Sequence, residues 1–220
     1  MDLQDLEKTD LFRGASRDEV EEMLRCLDME IRCYQKGEAV LRAGDRTHRL
    51  GLVLSGGVTL ENNDIWGNRT VLGHVGEGQV FAETYACLPE EPLMVNAVAA
   101  TETQVLFLDV GRLFSGQNNC MHQGVLVRNL LNIAARKNLA LSRRSFYTSS
   151  KTIRGRLLSY LSDQAVLQGS RRFSIPFDRQ QLADYLGVDR SALSNELGKM
   201  RREGLLTVRK NVFELLGPEP

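Results

Sequence analysis

The sequence from residue 175 to residue 206 reads IPFDRQQLADYLGVDRSALSNELGKMRREGLL, and its pattern predicts two short helices joined by a tight turn. Asp178 and Asp189 each precede a helical stretch, where an Asp side chain can cap free backbone amides. Gly187 lies between the two stretches and permits the backbone of a tight turn. The second helix carries one apolar stripe, formed by Leu193, Leu197 and Met200. Its other side is small, polar and partly basic, with Ser191, Ser194, Asn195, Gly198 and Arg202.

A helix of this kind suits the major groove of DNA, where its first turns reach the edges of the bases. Helical hairpins with other functions share the pattern, so the downstream sequence is needed to decide. There Gly204 ends the second helix, and residues 205–216 alternate around the turn Arg209-Lys210-Asn211, as the two strands of a basic wing would. Hairpin and wing together predict a winged helix-turn-helix.

The first half of the chain has a different pattern, in which short alternating runs are separated by glycine. A helical region is predicted first, within residues 3–27, with Ser16 as a helix cap. The runs that follow predict the strands Ala39–Leu41, Leu50–Leu54, Val58–Glu61, Thr70–His74 and Thr103–Asp109. Regularly spaced short strands with glycine turns favour a small β-barrel or jelly roll.

Two groups of residues resemble the Crp/Fnr family of bacterial transcription regulators. The first group is the stretch of residues 180–197, QQLADYLGVDRSALSNEL. The second group lies between residues 34 and 83 and consists of the short motifs YQKGE, AGD, LSGGV, GEG and FAE. The order of these motifs is similar to the order of turns in the cyclic-nucleotide-binding fold. The resemblance implies an α+β fold with an N-terminal double-stranded β-helix (jelly-roll) barrel, a long dimerisation helix and a C-terminal winged helix-turn-helix. It places the effector domain at residues 1–117, the dimerisation helix at 118–147, the hinge at 148–150 and the DNA-binding domain at 151–220.

A heptad-like stripe supports the dimerisation helix. Its members are Val127, Leu131, Ala134, Asn138 and Leu141. Long helices with such a seam usually pair, and a polar Asn138 in the seam can fix the register at some cost in stability. The alternative is that the stripe packs on its own barrel. A homodimer would hold two recognition helices about 34 Å apart, so the expected partner is a near-palindromic site in double-stranded DNA. RNA polymerase is a further candidate partner.

The family pattern assigns the DNA-contacting residues. Base reading falls to Arg190, Ser191 and Asn195, and phosphate contacts to Arg179, Ser194, Lys199 and Arg202. Arg190 can address guanine and Asn195 can address adenine, although Arg190 could equally contact phosphate or an Asp. Many members of the family carry Glu at the position of Ser191 and Arg at that of Asn195, so a different half-site is expected here.

The effector site departs from that of the cyclic-AMP-binding relatives, in which Glu holds the ribose and an Arg-Ser pair binds the cyclic phosphate. Glu83 is present, but Leu93 and Met94 occupy the Arg and Ser positions, and Leu141 followed by Ser142 occupies that of a purine-contacting Thr. A phosphate buried there would lack a cation, so cyclic AMP is not expected. The expected lining is apolar, with Phe81, Tyr85, Leu93, Met94 and Leu141.

Several alternatives for the effector stay open. An apolar pocket could bind a small organic molecule or a heme that senses a diatomic gas, since the stretch Trp66-Gly67-Asn68-Arg69 loosely resembles heme-dependent relatives. The candidate axial ligands are His48, His74, His122, Cys87, Met94 and Met121. Four cysteines, Cys26, Cys33, Cys87 and Cys120, could supply an iron–sulfur cluster or a thiol switch, but they lack the close spacing of the oxygen sensors in the family. The barrel could also be a ligand-free structural remnant of a constitutive regulator.

Composition limits the remaining classes. The net charge is zero, yet residues 148–220 carry 12 Lys and Arg against 8 Asp and Glu, the sign that phosphate binding requires. No apolar run approaches the roughly 20 residues of a membrane span, and the polar start MDLQDLEKTD is unlike a secretory signal, so a cytoplasmic protein with no membrane partner is expected. Phosphate-loop, nucleophile-elbow and metalloprotease motifs are absent from the sequence, so an enzyme is not expected.

Overall fold

The computed structural model describes residues 3–63, 69–114 and 121–216. Its contacts divide the chain into two units, Met1–Arg136 and Lys137–Pro220. The first unit combines a β-sandwich with helices and the second is a helical unit with a small sheet, which confirms the predicted α+β class.

The described part of the first unit holds eight strands in two antiparallel sheets. In chain order they are β1 (Glu30–Tyr34), β2 (Ala39–Leu41), β3 (Arg49–Ser55), β4 (Gly57–Asn63), β5 (Arg69–Gly76), β6 (Val80–Phe81), β7 (Asn96–Ala99) and β8 (Thr103–Asp109). One sheet has the order β1-β8-β3-β6 and the other β2-β7-β4-β5. The five predicted strands are confirmed. The alternating pattern does not reveal β1, whose side chains are mostly exposed, or the short strands β6 and β7.

Strand β3 shows why the first sheet lies at the centre of this unit. Successive side chains on a strand point to opposite faces, and here both faces are covered. Val53 faces the interior of the sandwich, whereas Leu50 and Leu52 face helices on the outer side. Those helices are a 3₁₀ segment at Leu3–Lys8, α1 (Arg17–Cys26) and the start of the long helix α4 (Gln123–Thr148). Two short helices complete the described part of the unit. Helix α2 (Glu83–Cys87) lies between β6 and β7, and α3 (Gly111–Phe114) lies between β8 and α4.

The predicted cap of α1 is confirmed. The Ser16 hydroxyl accepts from the backbone amide of Glu19, and the Glu19 carboxylate accepts from the backbone amide of Ser16 at 2.7 Å. This reciprocal arrangement satisfies two amides that the helix itself leaves free.

Helix α4 has two different sides in the first unit. Leu126, Leu130 and Ile133 are buried in the core against the sheet. On the predicted dimer stripe, Leu131 is 67% exposed, and Ala134 is exposed as well. The stripe therefore does not pack on its own barrel at these positions, because a separate set of residues does.

Asn129 fixes α4 on the N-terminal segment. Its side chain is buried, and its Nδ2 donates to the backbone carbonyl oxygens of Leu11 at 3.0 Å and Arg13 at 2.9 Å. We expect Asn129→Ala to lower the free energy of unfolding by about 2 kcal/mol, because it leaves two carbonyl groups without their donors. Urea denaturation measures this loss. Asn132→Ala, an exposed position on the same helix, is the matched control, and equal stabilities of the two variants would contradict the assignment.

The second unit has the predicted winged helix-turn-helix. Its elements are α5 (Ile153–Gln168), β9 (Arg172–Ser174), α6 (Arg179–Leu186), α7 (Arg190–Arg202), β10 (Leu206–Arg209) and β11 (Val212–Leu215). The strands form one antiparallel sheet of order β10-β11-β9. Asp178 and Asp189 cap α6 and α7, and Gly187 adopts φ 63° between them, as predicted.

The last turns of α4 belong to this second unit. Tyr147 is buried and its hydroxyl donates to Asp163; burial and this hydrogen bond raise the pKa of Tyr147, so the hydroxyl keeps its proton. Arg144 donates to the carbonyl oxygens of Tyr185 at 3.0 Å and Asp184 at 3.1 Å. Because of these contacts, the boundary between the two units falls within α4. The helix itself continues to Thr148, beside the hinge expected at residues 148–150.

Candidate nucleic-acid interface and barrel site

Helix α7 presents a polar face to solvent. Leu193, Leu197 and Met200 are buried in the core of the second unit, which leaves the opposite side of the helix outside. The exposed residues include six of the seven predicted DNA contacts: Arg190, Ser191, Ser194, Asn195, Lys199 and Arg202.

The predicted base-reading side chains are free to contact DNA. Arg190, Ser191 and Asn195 have no side-chain partner among the described residues, so the alternative in which Arg190 pairs with an Asp has no support there. The Asp189 carboxylate instead accepts from the amide of Ala192 at 2.8 Å and holds the first turn of α7. The three side chains thus extend from a rigid helix end.

The seventh predicted contact, Arg179, lies beside the wing rather than on α7. It lines a cleft of about 610 Å³ together with Pro176, Phe177, Asp178, Gln181, Lys210 and Asn211. Its guanidinium lies 5.2 Å from the centre of the Phe213 ring, and its Nη1 is buried without a hydrogen-bond partner. Burial lowers the pKa of Arg179. A cation held without a counter-ion at the rim of a cleft is suited to an anion such as a phosphate.

Lys210 is a residue that the sequence analysis did not include among the contacts, although it lay in the predicted wing turn. It lines the same cleft and adopts φ 56°, a left-handed conformation unusual for lysine. Asn211 beside it donates from Nδ2 to the carbonyl oxygen of Ile175 at 3.0 Å, and its own carbonyl accepts from the amide of Ile175 at 3.0 Å. The tip of the wing is therefore anchored, and Lys210 and Arg179 line one cleft together with the Asp178 carboxylate.

Arginines also hold the C-terminal end of α6. Besides Arg144, Arg156 donates from Nη1 to the carbonyl oxygens of Leu186 and Gly187, both at 2.9 Å. The last carbonyls of a helix have no partner within it and carry a partial negative charge, so positive side chains stabilise them. The turn between α6 and α7 is thereby fixed.

The predicted effector residues of the barrel have different environments. Phe81 belongs to the sandwich core and covers Gly51, where a Cβ atom would lie 2.3 Å from its ring. Glu83 and Leu93 are buried, at 6% and 5% exposure. Tyr85 accepts at its hydroxyl from the amide of Met94 at 3.3 Å, but the Met94 side chain is 77% exposed and encloses no space in the single chain. Leu141 and Ser142, in the second unit, are exposed.

The loop that carries Leu93 is held by the turn between β2 and β3. Gly44 donates its amide to the Leu93 carbonyl and Leu93 donates its amide to the Asp45 carbonyl, both at 2.8 Å. Arg46 donates from Nε to the Glu90 carbonyl at 2.9 Å. The position where relatives place a phosphate-binding cation is thus an ordered loop with a buried leucine.

The three histidines lie on charged or exposed surfaces. His48 lies 3.7 Å from Asp109, the ring of the exposed His74 covers Gly57, and His122 lies 3.3 Å from Glu19 and 3.1 Å from Glu22. Within the described ranges, no three His, Cys, Asp or Glu side chains converge as metal ligands do. These surroundings do not favour an axial ligand of a buried heme, because His48 and His122 lie beside carboxylates and His74 is exposed.

The sulfur candidates fit no better. Met121 is 86% exposed, and burial together with Glu83 raises the pKa of the Cys87 thiol, which lowers its thiolate fraction and its reactivity. Cys26, Cys33 and Cys87 form no disulfide within the described part of the chain. Cys120 and the stretch Trp66–Asn68 lie outside the described residues.

Two family models match this chain. The model of the cyclic nucleotide-binding domain matches residues 31–115. The model of the Crp-like helix-turn-helix domain matches residues 155–219. The first range contains the β-sandwich and the second contains most of the winged helix-turn-helix described above.

Several known proteins are similar to this chain, and the similarity covers different shares of its length. A protein named cyclic AMP receptor protein, from Thermus thermophilus, is 33% identical over 98 residues, which are 44% of this chain and 44% of that protein. The probable transcriptional regulator flp of Lacticaseibacillus casei is 32% identical over 146 residues, 66% of this chain and 58% of that protein. The alignments therefore span about half the length of these relatives. The solved structure of CprK complexed with OCPA has a TM-score of 0.67 over 91% of this chain and 92% of that chain at 17% identity, which shows a shared fold.

Proposed function

Because the chain belongs to the Crp/Fnr family of transcription regulators, we propose that it is a homodimer that binds a near-palindromic site in double-stranded DNA and is controlled by an effector other than a cyclic nucleotide. Members of this family are regulators rather than enzymes. The proposal places the protein in the cytoplasm, with RNA polymerase as a further partner. Among the helices of the described ranges, none has the length and apolar character needed to cross a membrane.

The exposed face of α7 is the observation that carries DNA binding. Its apolar stripe is buried, whereas Arg190, Ser191 and Asn195 extend from the first turns with no intramolecular partner. Donors and acceptors at that end of a helix can reach base edges in the major groove. Arg179 at the start of α6 and Lys210 in the wing turn supply positive charge that could contact the DNA backbone.

A homodimer is supported by the seam on α4. Leu131 is 67% exposed and Leu141 is 66% exposed, and large apolar side chains in a regular stripe are typically covered by a partner helix. A two-fold axis through this seam would place two recognition helices on one face of the DNA, which explains the expected near-palindrome.

The loop around Leu93 argues against a cyclic nucleotide, even though one relative is named a cyclic AMP receptor protein. A cyclic phosphate next to Leu93 would lose its hydration without gaining a cation, at a cost on the order of several kcal/mol. Glu90 and Glu91 lie in the same loop and would add repulsion. Between heme and a small uncharged organic molecule we favour the organic molecule, because His48 and His122 lie beside carboxylates and His74 is exposed.

A constitutive regulator with a ligand-free barrel is the second candidate. It is favoured by the hydrogen bonds that hold the Leu93 loop, since Gly44, Asp45 and Arg46 order this loop without any ligand. The two candidates differ in one respect, namely whether any small molecule changes the affinity for DNA.

Selection from a randomised DNA pool tests the function, followed by fluorescence anisotropy on the selected site at fixed salt. We expect a near-palindromic consensus. The same assay is repeated with cyclic AMP, with heme with and without nitric oxide, and with a panel of small uncharged aromatic compounds. A change in affinity of about fivefold or more identifies the effector by its coupling to DNA binding.

Each outcome of this experiment is informative. A response to cyclic AMP overturns the proposed effector class, and a response to heme and gas overturns our preference for an organic molecule. No response to any compound supports the constitutive regulator. Failure to enrich any sequence overturns sequence-specific DNA binding itself.

A further inference from the structure

Arg154 connects helix α5 to the recognition helix α7 through two carboxylates. Its Nε donates to Glu196 at 2.6 Å, and its Nη1 and Nη2 donate to the two oxygens of Glu203, both at 2.8 Å. The Glu203 pair is bidentate, and the Glu196 carboxylate is only 16% exposed. Exposed ion pairs usually contribute little, but bidentate arginine pairs within a network are the exception.

The local positions of these residues are unfavourable for both helices. Arg154 is the second residue of α5, where the helix dipole disfavours a positive charge. Glu203 is the C-terminal cap of α7, where the dipole disfavours a negative charge. Neither helix is stabilised by its own residue, so the favourable interaction is the one between the helices. This pattern indicates that the pair determines how α7 is held on α5.

The two carboxylates also lie on the element that must approach DNA. Glu196 directly follows Asn195. The Nζ atom of Lys199, on the next turn, lies 3.7 Å from the Glu196 carboxylate. Hydrogen bonds from Arg154 lower the pKa of Glu203, so this group is ionised at neutral pH. Free carboxylates on a helix in the major groove would repel the phosphates, whereas carboxylates bound by arginine carry their compensating charge with them.

We propose that Arg154 is a positioning residue for sequence-specific DNA binding, which fixes α7 on α5 and offsets part of the negative charge of Glu196 and Glu203 without itself touching DNA. This inference rests on the proposed DNA-binding function. Arg154 would thus affect DNA sequence specificity from outside the helix-turn-helix, since it lies at the start of α5.

The experiment compares full-length wild-type protein with Arg154→Met by fluorescence anisotropy on the selected site and on unrelated DNA. We expect operator affinity to fall about tenfold, within the range of coupling between residues of one ion-pair network. Affinity for unrelated DNA should fall less, because the added negative charge weakens both kinds of binding, whereas the loss of α7 positioning weakens only the base contacts. Adding Glu196→Gln and Glu203→Gln to the Arg154→Met variant should restore part of the operator affinity, because these substitutions remove the uncompensated charges but not the loss of the contact between α5 and α7.

A matched control removes the same charge from the same unit. Arg172 on β9 is exposed and its side chain has no partner among the described residues, so Arg172→Met should not reproduce the loss of specificity. If Arg154→Met fails to fold, Arg154→Lys carries the same test, because lysine keeps the charge but cannot form the bidentate pair.

Two results overturn the inference while leaving the proposed function intact. One is wild-type operator affinity in Arg154→Met. The other is a loss that the two glutamine substitutions do not rescue, combined with a salt dependence reduced by about one phosphate contact, which would mean that Arg154 binds the DNA backbone directly. Failure of the wild-type protein to bind any selected site would instead overturn the proposed function.

Discussion

Replacing Leu131 and Ala134 together by Glu is expected to make the protein monomeric and to weaken its binding to the full operator by about 10²- to 10⁴-fold. Both side chains are exposed on the predicted seam of α4. Four carboxylates facing each other across a paired seam would repel, and the apolar contact would be lost. The loss of DNA affinity follows because two linked half-site contacts bind far more tightly than either one alone.

Leu139 provides the matched control for this experiment. It is 57% exposed on the same helix but lies outside the seam, so Leu139→Glu adds a charge without affecting pairing. Sedimentation velocity measures the oligomeric state, and anisotropy measures binding to full and half operators. A dimeric Leu131→Glu/Ala134→Glu variant would refute the seam, and equal monomerisation by Leu139→Glu would show that charge on α4, rather than position, is responsible.

The double variant Arg190→Ala/Asn195→Ala is expected to reduce the affinity for the selected site roughly a thousandfold, towards the level of non-specific binding. A bidentate contact contributes about 1–3 kcal/mol of base discrimination, and this variant removes two such donors from the first turns of α7. Asn195→Ala alone should remove the preference for adenine at one position of each half-site. A second randomised selection with each variant measures the preferences position by position.

Lys199 distinguishes base reading from simple charge. It is exposed on the same helix and is predicted to contact phosphate, so Lys199→Ala should weaken all sites by a similar factor and leave the consensus unchanged. An unchanged consensus in Asn195→Ala would refute its role in reading adenine. A changed consensus in Lys199→Ala would show that the assignment of base and phosphate contacts needs to be exchanged.

Local chemistry explains which parts of the fold could be predicted. Asp178, Asp189 and Gly187 determine the ends of α6 and α7 through hydrogen bonds within a few residues, so sequence alone located both helices. Strand β6 has only two residues and exists because it pairs with β3, which no local pattern reveals. The same holds for β1, whose five residues are held by pairing with β8.

For the candidate sites, too, local patterns in the sequence predict some features, whereas contacts between distant segments cannot be predicted from them. The polar face of α7 follows from helical periodicity: Ser191, Ser194, Asn195 and Arg202 are exposed, whereas Gly198 is half-buried. The effector residues depend on packing between distant segments: Phe81 was expected to line a pocket but fills the sandwich core over Gly51. The pairing of Arg154 with Glu203 spans 49 residues, and nothing in the sequence around either residue indicates it.

Lys210 places a trade-off at the tip of the wing. Its φ of 56° is a conformation that glycine adopts freely, whereas a side chain there destabilises the fold by about 1 kcal/mol. A search for stabilising substitutions would therefore select glycine at this position and discard the cation beside Arg179. The wing would gain thermal tolerance and lose its attraction for a polyanion, so stability screens of this protein should leave residue 210 unchanged.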